Sequence, residues 1–159
     1  MPNPHSTLPA KPPIHVLLVE DNRADVDLTK IAMAEVNPGV HLHIARDGAS
    51  AMDFLLAPDL PRPTIVLLDL NLPKLGGLEV LQQVKSLVRL RAIPAIILSM
   101  SDSYADVEAS YANQANAFLH KPLGFEAFVG VLRSVNEFWL TAATLADGQR
   151  SLDSKQPFS

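Results

Sequence analysis

The sequence predicts an α/β domain: a five-stranded parallel sheet with helices on both faces. Three observations predict it. Five short apolar runs recur along the chain, they alternate with amphipathic segments, and the runs are mostly continuous rather than alternating in polarity. A strand covered on both faces reads as a continuous apolar run, and parallel sheets are covered on both faces. Strands alternating with helices give the α/β class, and right-handed crossovers place the helices on both sides.

The first run, Ile14–Val19, is β-branched and apolar except for His15. Arg23–Val36 follows as a helix, with Leu28, Ile31, Ala32 and Val36 on its expected inward side and Pro38-Gly39 as its stop. The second run is 41–45. Asp47 is the expected N-cap of Gly48–Leu56, which turns Ala51, Met52, Leu55 and Leu56 inward. The third run is 64–68. A helix over 77–88 carries Leu78, Leu81, Val84 and Val88. Pro94 stands at the start of the fourth run, 95–98, where a missing donor is tolerated. Asp102 or Ser103 caps a helix ending near Asn113, and the fifth run is 117–119. The last helix, 123–140, carries Phe125, Phe128, Val129, Leu132, Val135 and Trp139.

The domain is expected over 14–140. Residues 1–13 hold five prolines and form an arm expected to be mobile, while 141–159 form a polar C-terminal extension. After Leu140 only 19 residues remain, so no output domain is expected. A chain of 159 residues is long enough for one full core. Net charge is −4 with no basic run, which argues against nucleic-acid binding. No apolar run approaches the ~18 residues of a membrane span, and no secretory signal is visible. Cysteine is absent, which excludes thiolate metal sites and disulfides and fits a reducing, cytoplasmic setting.

Polar residues collect where the runs end. Glu20 and Asp21 follow the first, Asp69 the third, Ser99 the fourth, and His120-Lys121 the fifth. In a parallel sheet these ends share one edge, and that edge is where open α/β sheets bind ligands. Three crowded carboxylates repel unless one is protonated or a cation joins them. A hard divalent ion such as Mg²⁺ suits oxygen ligands and retains waters. Asp21 and Asp69 are the expected direct ligands, with the backbone carbonyl of Asn71 as a third and Glu20 acting through a water. Lys121 adds positive charge and Ser99 a hydroxyl donor. Carboxylate, Mg²⁺, ammonium and hydroxyl together suit phosphoryl transfer to Asp69 as nucleophile. No phosphate-cradling glycine loop is present.

"LLVEDN", "LLDLNLP" with "GG" shortly after, "IILS" and "FLHKP" occur in that order over about 14–140. In this the chain resembles the receiver domains of two-component response regulators. "VEDNRADVDL", the Pro-Arg-Pro before the third run, "ASY" and "FWLTAATL" are similar to the stand-alone receivers paired with bacterial and cyanobacterial phytochromes. The resemblance implies a flavodoxin-like (βα)5 fold with strand order 2-1-3-4-5. It implies Asp69 as phosphoacceptor, Glu20 and Asp21 as the acidic pair, Asn71 as the carbonyl ligand, and Mg²⁺ (or Mn²⁺) as the ion. It further implies Ser99 as the switch hydroxyl, Phe118 as the switch aromatic, Lys121 as the phosphoryl-binding lysine, and a cis bond before Pro122. The implied partners are a sensor histidine kinase, a phytochrome among the candidates, and a second copy of the chain. Phe118 stands where relatives frequently have tyrosine, and Met100 where they often have a small residue. The Met100 thioether is expected to screen the acyl phosphate and slow both labelling and hydrolysis.

Other readings attach to the same residues. Asp69 alone would read as a strand-end cap, Ser99 as a turn residue and Lys121 as a solvated charge; their co-occurrence favours a site. A Mg²⁺-dependent aspartyl-phosphate phosphatase normally needs a second acid two residues after the nucleophile, where this chain has Asn71. A phosphate relay or sink without direct output, and a receiver-like binding module without phosphorylation, are further alternatives. His41 and His43 share a strand face, a metal pair with no third ligand evident in the sequence. Tyr104, Val107 and Tyr111, with Val131, Phe138 and Leu140, form a second apolar side and are the expected dimer surface.

Overall fold

A computed structural model describes residues 12–146. The expected proline arm up to residue 11 and the extension from 147 onward lie outside the described residues. The elements run β1 (Ile14–Val19), α1 (Arg23–Val36), β2 (Val40–Ala45), α2 (Gly48–Leu56), β3 (Ile65–Leu68), α3 (Gly77–Ser86), β4 (Ala95–Ser99), α4 (Tyr104–Ala112), β5 (Ala117–His120) and α5 (Phe125–Glu137). A π-helical turn, Phe138–Ala142, closes α5. All four strand pairings are parallel, in the order β2-β1-β3-β4-β5. No helix of the described residues is long and apolar enough to cross a membrane.

β3, β4 and most of β1 are buried on both sides because alternate residues serve different cores, while the edge strands β2 and β5 are only partly buried. Leu17, Val19, Val66, Leu68 and Ile97 join α2 and α3 on one face. Val16, Leu18, Leu67, Ile96 and Leu98 join α1 and α5 on the other. Asn37 at the end of α1 donates its side-chain amide to Asn136 Oδ1 of α5 at 2.9 Å. Helix α4 lies against β5, and Ser110 is its buried residue. Asp47 and Ser103 cap their helices as expected, each accepting from the backbone N–H three residues on, and Asn22, not anticipated, does the same for α1.

Helix faces and ends depart from expectation in four places. In α1 the buried residues are Val26, Thr29, Ala32 and Met33, while Leu28 and Ile31 are exposed. The hydroxyl of Thr29 donates to the Asp25 carbonyl at 2.7 Å, so the buried polar group is satisfied. Leu56 is exposed at the end of α2. Helix α3 stops at Ser86, which leaves Val88 beyond it and 74% exposed. The last helix begins at Phe125, so Leu123 lies outside it in the open.

Candidate functional site: an acidic pocket at the carboxyl edge of the sheet

Each candidate residue at this edge is held by the ladder that precedes it. The backbone N–H of Glu20 donates to Ala45 O at 3.0 Å, that of Asp69 to Val19 O at 3.0 Å, and that of Lys121 to Ser99 O at 2.8 Å. Three strand ends are thereby fixed against their neighbours before any side chain interacts. Glu20, Asp69, Ser99 and Lys121 are buried, and Asp21 is exposed beside them. Glu20, Asp21 and Asp69 each offer a carboxylate oxygen, all within 4.8 Å of one another. That donor set fits a hard divalent cation.

Lys121 sits among carboxylates 52 to 101 positions away in sequence. Its Nζ lies 2.5 Å from Glu20 Oε2, 3.2 Å from Asp25 Oδ2 and 3.4 Å from Asp69 Oδ2. An ammonium has three donors, and each has an acid. Burial, then the hydrogen bond to Asp69, push Glu20 up to about 7 against the pull of Lys121. For Lys121, burial pulls the pKa down, but the Glu20 hydrogen bond and the charges of Asp69, Glu20 and Asp25 outweigh it and raise it. The pocket is thus rich in negative charge, with one lysine against four nearby acids.

The remaining oxygens have partners. Glu20 Oε1 accepts from Asn22 N at 3.1 Å, so both its oxygens are engaged by protein donors. Asp69 Oδ1 accepts from Asn71 N at 3.0 Å, which folds the start of the β3–α3 loop back over the acid. Ser99 Oγ accepts from Ser101 N at 3.1 Å. Met100 is exposed at the rim, and its carbonyl is 3.1 Å from His120 Nε2. Phe118 is half-buried against the α2–α3 core, and its N–H donates to the Tyr111 hydroxyl at 3.1 Å.

Asp25 was missed by the sequence reading because it lies on α1 rather than at a strand end. The available signal was its place one helical turn after Asp21, which puts both on one side of the chain's entry into α1. The cis bond expected before Pro122 is corrected: among the described residues there is no cis peptide bond. Trans is the intrinsically favoured isomer of an Xaa-Pro bond by about 0.5–1 kcal/mol, and the turn into α5 closes with it. The six expected dimer residues divide. Tyr104, Tyr111 and Phe138 are exposed, Val107 is half-buried, and Val131 and Leu140 pack against the α1–α5 core.

Comparison with known proteins agrees with this geometry. The family model for the response regulator receiver domain matches residues 16–133. The probable methanogenesis regulatory protein FilR2 of Methanothrix harundinacea is 41% identical over 138 residues, covering 84% of this chain and 88% of FilR2. Response regulator Rcp1 of Synechocystis is 38% identical over 140 residues, 86% of this chain and 95% of Rcp1. The Mn²⁺-bound structure of Rcp1 superposes with a TM-score of 0.78 at 37% identity, covering 85% of this chain and all (100%) of that one. The phosphorylated cyanobacterial phytochrome response regulator RcpA superposes with a TM-score of 0.80 at 36% identity, over 84% of this chain and 99% of RcpA. With the strand order, the acid cluster and the lysine all at one edge, and a family match over most of the chain, this protein belongs to the response regulator receiver domain family.

Proposed function

We propose that the chain is a phosphorylation switch that takes a phosphoryl group on Asp69 from a sensor histidine kinase. The observation that carries this reading is the meeting of Glu20, Asp21, Asp69 and Lys121 at one sheet edge, with Ser99 at the end of the adjacent strand. An Asp69 carboxylate oxygen attacks phosphorus as the bond to the kinase imidazole nitrogen breaks, leaving an acyl phosphate on Asp69. Lys121 shifts from the carboxylates to a phosphoryl oxygen, and the Ser99 hydroxyl donates to another. Phe118 moves into the space behind Ser99, and the α4–β5–α5 surface changes with it. Asp21, Asp69 and the Asn71 carbonyl would hold Mg²⁺, with Glu20 linked through a water; Mn²⁺ suits the same oxygens. A bound ion supplies positive charge where the acids and the incoming phosphoryl group crowd together.

The chemistry is the protein's own phosphorylation and dephosphorylation, not turnover of external monoesters. Asn71 offers no acid to protonate a leaving group, which disfavours the phosphatase alternative. A relay or sink role uses the same Asp69 step and differs in where the phosphate goes next. A phytochrome kinase in the cytoplasm is the partner suggested by likeness to RcpA. Partner docking is supported by an apolar rim: a cavity of ≈ 110 Å³ beside Lys121 is lined by Leu28, Met100, Leu123 and Phe125. Phosphotransfer from candidate kinases, read by intact mass, is expected to add one phosphoryl group to the wild type and none to Asp69→Asn. Labelling of Asp69→Asn, or no labelling of the wild type by any kinase or small acyl phosphate with Mg²⁺, would refute the reading.

Two further outcomes belong to this function. Met100→Ala is expected to speed both labelling by small phosphodonors and hydrolysis of the acyl phosphate by a few-fold, since the exposed thioether beside the site is removed; unchanged rates remove its role. Homodimerisation through α4, β5 and α5 is proposed from exposed Tyr104, Tyr111 and Phe138. Light scattering at micromolar concentration is expected to give a dimer, which Tyr104→Ala with Tyr111→Ala weakens. A strict monomer with and without phosphate rules this out.

A further inference from the structure

The geometry points to a second metal site, formed by His15, His41 and His43, that takes a borderline divalent transition metal such as Zn²⁺, Ni²⁺ or Cu²⁺. β1 and β2 pair in parallel with His15 opposite His41. Neighbours in register share a sheet face, and residues two apart on a strand share it too. All three imidazoles therefore stand on one side of two adjacent strands. His15 Nδ1 and His43 Nε2 are 2.9 Å apart. The His15 ring centroid lies 5.0 Å from that of His41 and 5.1 Å from that of His43.

A His-x-His pair on one strand with a third histidine on the next offers three nitrogen donors and leaves one position for water. That is the ligand number and type of an open three-histidine zinc site. Two nitrogens on one tetrahedral ion, each at about 2.0–2.1 Å, stand about 3.3 Å apart. The His15–His43 contact is an N–H···N hydrogen bond. On metal binding the donor ring therefore shifts its proton to its other nitrogen, both rings turn their lone pairs toward the ion, and the two nitrogens separate by a few tenths of an ångström. His41 is exposed, and to join the pair its ring must leave the stack on His15, because the three rings do not offer nitrogens all within 4.8 Å of one another as they stand. The Phe54 ring of α2 lies 4.9 Å from that of His43 and packs against it at a tilt. Burial and the neighbouring imidazoles lower His15 and His43, which favours the neutral, ligating form.

This site is separate from the acidic pocket in place and in chemistry. His43, the member of the trio nearest the acids, is in register with Leu17, three residues before Glu20 and so about 10 Å from it along β1 at 3.3 Å per residue. Imidazoles select borderline ions, whereas the carboxylates suit Mg²⁺ or Mn²⁺. An ion here would bind edge strand β2 to central strand β1, and so raise folding stability by linkage.

The test is calorimetric titration of the full chain with Zn²⁺ in excess Mg²⁺ at neutral pH. One Zn²⁺ per chain is expected. His15→Gln, His41→Gln and His43→Gln are each expected to weaken binding at least about tenfold. Asp21→Asn, His5→Gln and His120→Gln are expected to leave it unchanged. Co²⁺ is expected to give the strong visible bands of tetrahedral nitrogen ligation in the wild type and to lose them in His41→Gln. Should a half-buried variant fail to fold, the exposed His41→Gln decides. The absence of saturable binding, binding indifferent to these three histidines, or equal loss with His5→Gln, His120→Gln or Asp21→Asn would overturn the site.

Discussion

Lys121→Met is expected to destabilise the metal-free protein by about 3–5 kcal/mol near pH 8, because it leaves buried acids without their cation. Glu20 is 1% exposed and Lys121 6%; water cannot replace the lost charge. The variant retains an apolar stem, so the loss is electrostatic rather than a cavity. The deficit depends on pH with a definite sign. Glu20 is raised from 4.5 to about 7 in the folded chain. Between those values the folded state holds more protons than the unfolded one, so the Glu20 contribution to stability falls as pH rises through this window. Removing the ammonium extends the window upward. The variant's deficit is therefore expected to shrink toward pH 5, where Glu20 is neutral, and to grow toward pH 8. Mg²⁺ is expected to recover part of it by returning positive charge to the pocket. Urea unfolding of both proteins at the two pH values, with and without Mg²⁺, reads all of this. An equal deficit at both pH values would mean that Lys121 acts by packing and not by charge.

The same residues show where sequence carries structural information and where it stops. The strands were legible because both faces of the sheet are covered, which makes β3, and β4 up to Ser99, unbroken apolar runs and leaves only histidines to interrupt β1, β2 and β5. The convergence at the edge was legible because a parallel sheet sends every strand end to one side, so Glu20, Asp69, Ser99 and Lys121 collect there despite their spacing. The α1 face was not. Its segment offers apolar residues on more than one stripe, and burial goes to Val26 and Met33 with Thr29 between them. Thr29 is accommodated because its hydroxyl bonds back to the Asp25 carbonyl, a compensation that hydropathy does not record. Leu28, freed from the core, instead lines the cavity beside Lys121. Asp25 and His15 escaped notice for a shared reason: each acts through a partner on another element. The lysine cage needs the α1 entry angle, and the histidine cluster needs the β1–β2 register. Neither is set by local pattern.

Gly77→Ala is expected to cost about 3 kcal/mol and to impair phosphorylation together, while Gly76→Ala costs less than about 1 kcal/mol. The two glycines are adjacent in sequence but not equivalent in space. A Cβ on Gly77 would lie 2.3 Å from Asp69 O and 2.6 Å from Leu70 Cα, whereas one on Gly76 meets nothing within 4 Å. The N–H of Gly77 donates to Leu70 O at 3.2 Å, so the first turn of α3 rests directly on the chain that has just left β3. Backbone cannot swing aside as a side-chain tip does. An added methyl must lift α3 or push the Asp69 carbonyl, and either movement displaces the carboxylate proposed to accept the phosphoryl group. Positive φ is not the cause, since no glycine among the described residues adopts it; the requirement is space alone. Denaturant unfolding and phosphotransfer rates measured on both variants separate the two positions. If Gly77→Ala unfolds at the wild-type denaturant midpoint and labels at the wild-type rate, α3 is free to move away from Asp69, and the tight seat under Asp69 is not what holds it in place.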